Sequence, residues 1–146
     1  MEYKIINLYD KVDLINEGAL WFSIKWNKPK QYYIESMRDN LRNKMAIPQW
    51  YVVILSDEII AGCGVLDDAS FNPSLNYLYV DEKYRNQGVA TTLLDYVCHD
   101  MSKRRIYSLY LETTIGDFFE KCGWKYIFNC DDKKIYVRNK EQKSSE

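Results

Sequence analysis

The stretch LYVDEKYRNQGVATTLLDYVCHDM, residues 78–101, constrains the fold more than any other part of the chain. An apolar run, Leu78-Tyr79-Val80, stops at a charged segment, and a helical pattern begins at Gly88-Val89-Ala90. From there Val89, Ala90, Leu93, Leu94, Val97, Cys98 and Met101 fall on one broad helical stripe. A second strand pattern, IYSLYLE at 106–112, follows. Strand, helix and strand in that order make a parallel crossover, and such connections are right-handed. The first backbone N–H groups of the helix lack internal partners, and the helix dipole adds positive charge there. An anion such as a pyrophosphate fits that position. Gly88 lets the backbone approach closely, Ala90 keeps the wall low, and Arg85 adds a cation at the rim. The same residues would also serve a plain turn, with Arg85 solvated and an ordinary helix start.

The rest of the chain supplies a sheet around this unit. YKIINL (3–8) alternates like a strand, and Val12, Ile15, Ala19 and Phe22 predict a helix from Lys11 to Phe22 with Asp10 as N-cap. Pro29 suits the first turn of a second helix, whose face is Tyr33, Ile34, Met37 and Leu41. WYVVIL (50–55) and IIAGCGVL (59–66) read as a hairpin joined at Ser56-Asp57-Glu58, and SLNYLYV (74–80) as the next strand. Gly62 and Gly64 point to one face, which implies a bulge or a close backbone approach. A short helix around Phe118 to Lys121, then WKYIF (124–128) and KKIYV (133–137), complete the order β-α-α-β-β-β-α-β-α-β-β. The expected class is α+β: a mixed, mostly antiparallel sheet of about six or seven strands, four helices and one parallel pair. Residues 1–138 form one domain, and 139–146 a polar, frayed tail.

Composition removes several function classes. A formal net charge of −1 gives no global attraction to nucleic acid, and Lys103-Arg104-Arg105 suits a helix C-terminus. The start of the chain has no signal-peptide pattern, and no apolar run approaches the ~20 residues of a membrane span. A cytoplasmic protein without a membrane partner is expected. Cys63, Cys98, Cys122 and Cys130 are scattered and read as small buried hydrophobes. With a single histidine, His99, no metal site is expected.

Two blocks now become informative together. Arg85-Asn86-Gln87-Gly88-Val89-Ala90, preceded by LYVDEKY, resembles the acetyl-CoA signature Arg/Gln-x-x-Gly-x-Gly/Ala of the GNAT N-acetyltransferases. FFEKCGW, residues 118–124, is similar to that family's FYEKLGF turn, and the element order over 3–138 fits as well. The resemblance implies acetyl-CoA as co-substrate, with the backbone of Leu78, Tyr79 and Val80 pairing with the pantetheine arm. It implies amides of Asn86, Gln87, Gly88, Val89, Ala90 and Thr91 on the pyrophosphate, and strands 74–80 and 106–112 splayed to admit the cofactor. A backbone N–H near Tyr79 or Val80 would stabilise charge on the thioester carbonyl.

Phe119 replaces the tyrosine that commonly protonates the departing thiolate in this family, so that acid falls to water or to another of the 13 tyrosines. Glu112 is the candidate base, though a strand-end carboxylate is more often simply solvated. Asp67 and Asp68 are weaker candidates. Trp21, Trp26, Tyr32 and Tyr33 are candidates for the acceptor wall or for core. The expected function is transfer of acetyl to a primary amine by direct attack; the alternative is a weak or inactive acyl-CoA-binding module. A purely structural domain, with Gly88 only a turn, is the third option. The expected partners are acetyl-CoA, an amine acceptor and, in one expected state, a second copy of the chain.

Overall fold

The computed structural model describes residues 2–43 and 45–140. The elements are β1 (Lys4–Asn7), α1 (Ile15–Trp26), α2 (Lys30–Asn43), β2 (Gln49–Leu55), β3 (Glu58–Asp67) and β4 (Pro73–Val80). They continue as α3 (Val89–Lys103), β5 (Ser108–Thr113), α4 (Asp117–Lys121), β6 (Lys125–Cys130) and β7 (Lys133–Asn139). Seven strands form one sheet in the order β1-β2-β3-β4-β5-β7-β6. Neighbours are antiparallel except β4 and β5. The element order and the mixed sheet are those expected from the sequence.

Strand alternation sends neighbouring residues to opposite faces. Trp50 and Val52 face α1 and α2, packing with Ala19, Phe22, Tyr33 and Met37. Tyr51 and Val53 face α3, packing with Leu93, Leu94 and Val97. A central strand buried on both faces reads as a continuous apolar run, which is why β2 and β3 show little polar alternation. The two glycines of β3 admit the α1-side rings. A Cβ on Gly62 would lie 2.7 Å from the Phe22 ring, and one on Gly64 2.8 Å from the Trp50 ring. The β2–β3 turn has Ser56 and Asp57 at φ 49° and 65°, so it is a two-residue turn and Glu58 already belongs to β3.

Four expectations need correction. The first helix begins at Ile15, not Lys11, because two 3₁₀ turns, Leu8–Asp10 and Val12–Leu14, precede it. Asp10 is not its cap; the Asn7 side chain accepts from Tyr9 N at 2.8 Å and caps the first turn instead. The tighter 3₁₀ period rotates Val12 outward, where it is exposed. Cys130 is exposed on β6 while the other three cysteines are buried. Asn139 is part of β7, and Lys140 N donates to Tyr107 O at 2.7 Å, so only 141–146 of the expected tail remain, and they lie outside the described residues.

Candidate functional site

The site grows from an irregularity in β4. Gly62 registers with Tyr79, but Gly64 registers with Asn76, so Tyr77 and Leu78 together oppose Cys63. That extra residue is a bulge, and Tyr77 takes φ 59° to make it. A left-handed tyrosine costs roughly 1–2 kcal/mol, and several contacts hold it there. Its ring stacks on Trp50 at 5.6 Å, its carbonyl accepts from Trp26 Nε1 at 3.2 Å, and its hydroxyl accepts from Lys28 Nζ at 2.6 Å. Beyond the bulge the parallel strands part. Among the described residues β4 and β5 register only at Ser74 and Tyr110, so the β5-facing edge of residues 76–80 has no strand beside it.

Past the end of β4 the chain makes a 3₁₀ turn, Glu82–Tyr84, and reaches Asn86 and Gly88 in left-handed conformations, φ 61° and 79°. The first bond of the α3 ladder runs from Thr92 N to Gly88 O, 3.0 Å, so the amides just ahead lie outside it. A Cβ on Gly88 would meet nothing within 4 Å. Glycine is therefore favoured there by backbone angle, not by packing. Arg85 does not project into solvent as a free cation: Nε donates to Val80 O at 2.8 Å, and the guanidinium sits 5.1 Å from the Tyr79 ring centre. Gln87 turns away, donating to Lys83 O at 3.1 Å.

Between the parted strands and this loop lies a cleft of about 880 Å³. Of the sequence-derived candidates, Leu78, Tyr79, Val80, Arg85, Asn86, Gly88, Val89, Ala90, Thr91, Glu112 and Phe119 line it, whereas Gln87, Asp67 and Asp68 do not. Phe119 is 8% exposed, its ring set edgewise to Trp124 and tilted over Tyr136. Glu112 is more than half exposed and sits 3.5 Å from Lys133 Nζ. Sequence reasoning did not single out Leu75, Asn76, Tyr77, Tyr84, Leu111, Phe118 or residues 113–115, which also line it. A glycine pair facing a strand with no glycine was the available sign of a bulge on one of them.

The aromatic candidates divide. Trp26 lines the cleft. Tyr33 is fully buried between Phe22, Trp50 and Tyr77, and burial holds its hydroxyl up at about 12. Tyr32 stands at the rim, where Tyr77 Oη donates to its hydroxyl at 3.2 Å. Partial burial, then the Tyr77 bond, raises the Tyr32 pKa. Lys28 Nζ lies 4.8 Å from the Tyr32 ring and 5.1 Å from the Tyr77 ring. The Lys28 ammonium thus sits against two phenols, while the Trp26 indole is bonded to the Tyr77 carbonyl. Among the described residues no cluster of histidine, cysteine or carboxylate side chains could hold a metal ion, and no helix is long and apolar enough to cross a membrane.

Comparison with known proteins agrees with this architecture. A GNAT-family acetyltransferase from Staphylococcus aureus Mu50 superposes with a TM-score of 0.66 at 23% identity, covering 94% of this chain and 99% of its own. The PaiA N-acetyltransferase of Thermoplasma acidophilum, crystallised with coenzyme A, gives 0.64 at 15% identity, covering 96% and 100%. An aminoglycoside 6'-N-acetyltransferase complexed with coenzyme A gives 0.66 at 15%, covering 95% and 97%. At these identities the likeness carries the fold. No curated protein sequence matches the chain. The family model for the acetyltransferase (GNAT) domain matches residues 47–126, from the approach to β2 into β6. With more than half of its length matched, the chain belongs to the GNAT acetyltransferase family.

Proposed function

We propose that this protein binds acetyl-CoA in the cleft and transfers the acetyl group to a primary amine. The observation that carries the reading is the unpaired edge of β4 running directly into the left-handed loop before α3. The pantetheine arm would take the place of a strand along Leu78, Tyr79 and Val80, and the diphosphate would sit on the amides of residues 86–91. Acetyl-CoA in this role is supported by the family and by fold neighbours crystallised with coenzyme A or its acetyl form. The acceptor would enter at the rim formed by Trp26, Tyr32 and Tyr77.

The chemistry is one displacement through a tetrahedral intermediate. The amine nitrogen bonds to the thioester carbon, the C–S bond breaks, coenzyme A leaves as thiolate, and the nitrogen loses a proton. A free alkylamine has a pKa near ~10.4, so at neutral pH it must shed a proton before attacking. Glu112 is the carboxylate lining the cleft and is the assigned base, acting through water. The bulge at Tyr77 and Leu78 interrupts the β3–β4 ladder, and a backbone amide freed there would donate to the developing oxyanion. With Phe119 on the wall, the thiolate takes its proton from water. Bringing the two reactants together supplies much of the acceleration.

Phe119 also favours a second reading, a coenzyme-binding module with little turnover. Thiol release from acetyl-CoA, measured against polyamines, aminoglycosides, amino acids and peptide N-termini, separates the two. Turnover with at least one amine, abolished by Gly88→Trp, is the expected result. Coenzyme binding without release from any class would leave the module.

A further inference from the structure

The cations around the cleft are engaged in different ways. Lys25 Nζ lies 2.8 Å from an oxygen of Asp81, and Lys133 Nζ lies 3.5 Å from one of Glu112. Arg85 donates to Val80 O and stands over the Tyr79 ring. Lys28 differs from all of these. Its Nζ donates to Tyr77 Oη at 2.6 Å and lies against the Tyr32 and Tyr77 rings, yet among the described residues it has no carboxylate partner. An ammonium has three donors, and the phenol takes one. An ordinary surface lysine keeps its rotamer freedom in water, whereas this one is held in place with its charge unmatched. Its neighbours do not supply the missing charge. Lys25-Trp26-Asn27-Lys28-Pro29-Lys30 contains no carboxylate. Glu35 and Asp39 come later on α2, where they line a separate shallow depression with Gln31, Tyr32 and Ser36.

We propose, on the transfer reading above, that Lys28 binds a carboxylate of the acceptor, and that the acceptor is an amino acid with a long spacer between amine and acid. Tyr77 sets the spacing. Its main chain lies in the bulge that offers the oxyanion donor, and its hydroxyl, at the far end of the side chain, carries Lys28. The amine and the carboxylate are therefore held one tyrosine side chain apart. An α-amino acid has both groups on one carbon and is too short to reach both ends. An ω-amino acid of several carbons spans them, and Trp26 and Tyr77 give its methylene chain an apolar wall. A polycation, by contrast, brings a second ammonium against the first, and like charges set side by side oppose binding.

Thiol release from acetyl-CoA, followed with ε-aminocaproate, its amide, glycine and cadaverine, tests this. The acid should exceed its amide about tenfold in kcat/KM. The difference should lie in KM, because the pair with Lys28 forms on binding and is the same in the transition state. Glycine and cadaverine should both fall below ε-aminocaproate. Lys28→Gln should bring the acid-to-amide ratio close to unity, Lys28→Arg should keep most of it, and Lys28→Glu should make cadaverine the better acceptor.

A wild-type ratio near unity overturns the proposal, and so does a preference for glycine or cadaverine. A ratio that survives Lys28→Gln overturns it as well, since the carboxylate would then be held elsewhere. If no amine releases thiol, the transfer reading falls, and calorimetry of ε-aminocaproate on the protein saturated with coenzyme A decides the anion site separately. Binding that Lys28→Gln weakens about tenfold supports it. An absence of binding, or binding that Lys28→Gln leaves untouched, overturns it.

Discussion

The two walls of the cleft are made of different material. The wall proposed for acetyl-CoA is backbone: an unpaired strand edge, two left-handed residues and the start of α3. The wall proposed for the acceptor is side chain: Trp26, Tyr77 and Phe119 line the cleft, and Tyr32 and the Lys28 ammonium lie against Tyr77 beside it. A backbone wall tolerates most substitutions that leave φ and ψ alone, so it can persist while sequences diverge. A side-chain wall changes its ligand with every substitution. Chains at 15–23% identity share the fold, and a backbone wall is the kind that can outlast such divergence.

The contrast breaks most visibly at Gly88. Gly88→Trp forces a bulky residue into φ 79° and fills the space the loop leaves open. Coenzyme affinity, measured by calorimetry, should fall at least about a hundredfold, roughly 2.7 kcal/mol. Equal affinity in the two proteins would contradict the backbone wall. Tyr77→Phe sharpens the other side. It keeps the ring on Trp50 and removes the hydroxyl that Lys28 and Tyr32 share, and kcat/KM for the amine should drop about tenfold, near 1.4 kcal/mol. Coenzyme affinity should stay within about twofold, and a parallel loss of both would mean that the walls are not separate.

Smaller effects test finer points. Arg85 is occupied with Val80 O and the Tyr79 ring, so Arg85→Ala should cost only about threefold in coenzyme affinity, under 1 kcal/mol. A loss as large as that of Gly88→Trp would restore the arginine as a primary anion ligand. The smallest effect concerns Tyr33. Burial raises its hydroxyl from 10 to about 12, so the unfolded chain releases that proton first. The resulting stabilisation is whole below about pH 10 and is lost as the pH rises through 12. Tyr33→Phe should leave stability near pH 7 almost unchanged, since the hydroxyl has no partner among the described residues. It should make the alkaline decline shallower, as read from thermal unfolding between pH 8 and about 11.

Much of this was legible in the sequence because it rests on period and on punctuation. The stripe from Val89 to Met101 and the glycine before it located the first turn of α3, and the apolar runs at 50–55 and 59–66 located the hairpin at the middle of the sheet. The start of α1 was not legible, because 3₁₀ turns carry a three-residue period that Val12, Ile15 and Ala19 satisfy nearly as well as a helix. Gly62 and Gly64 pointed to a bulge or a close approach, but the residue that forms the β4 bulge was not legible. Nothing in Asn76-Tyr77-Leu78 marks a left-handed tyrosine, and the contacts that hold it come from Trp26, Lys28 and Trp50, each more than 20 residues away in sequence. The proposed acceptor rim depends on such long-range meetings of side chains, and so does the bulge that parts β4 from β5; only the left-handed loop before α3 is local.

The most direct measurement is amide shift mapping of the protein by ¹⁵N resonance spectroscopy during titration with coenzyme A. The amides of Leu78, Tyr79 and Val80, and those of residues 86–91, should move together and saturate together, with little change at Tyr32 or Lys28. Binding that leaves the 86–91 amides unmoved, or no binding at all, would contradict the account of a coenzyme held by main chain.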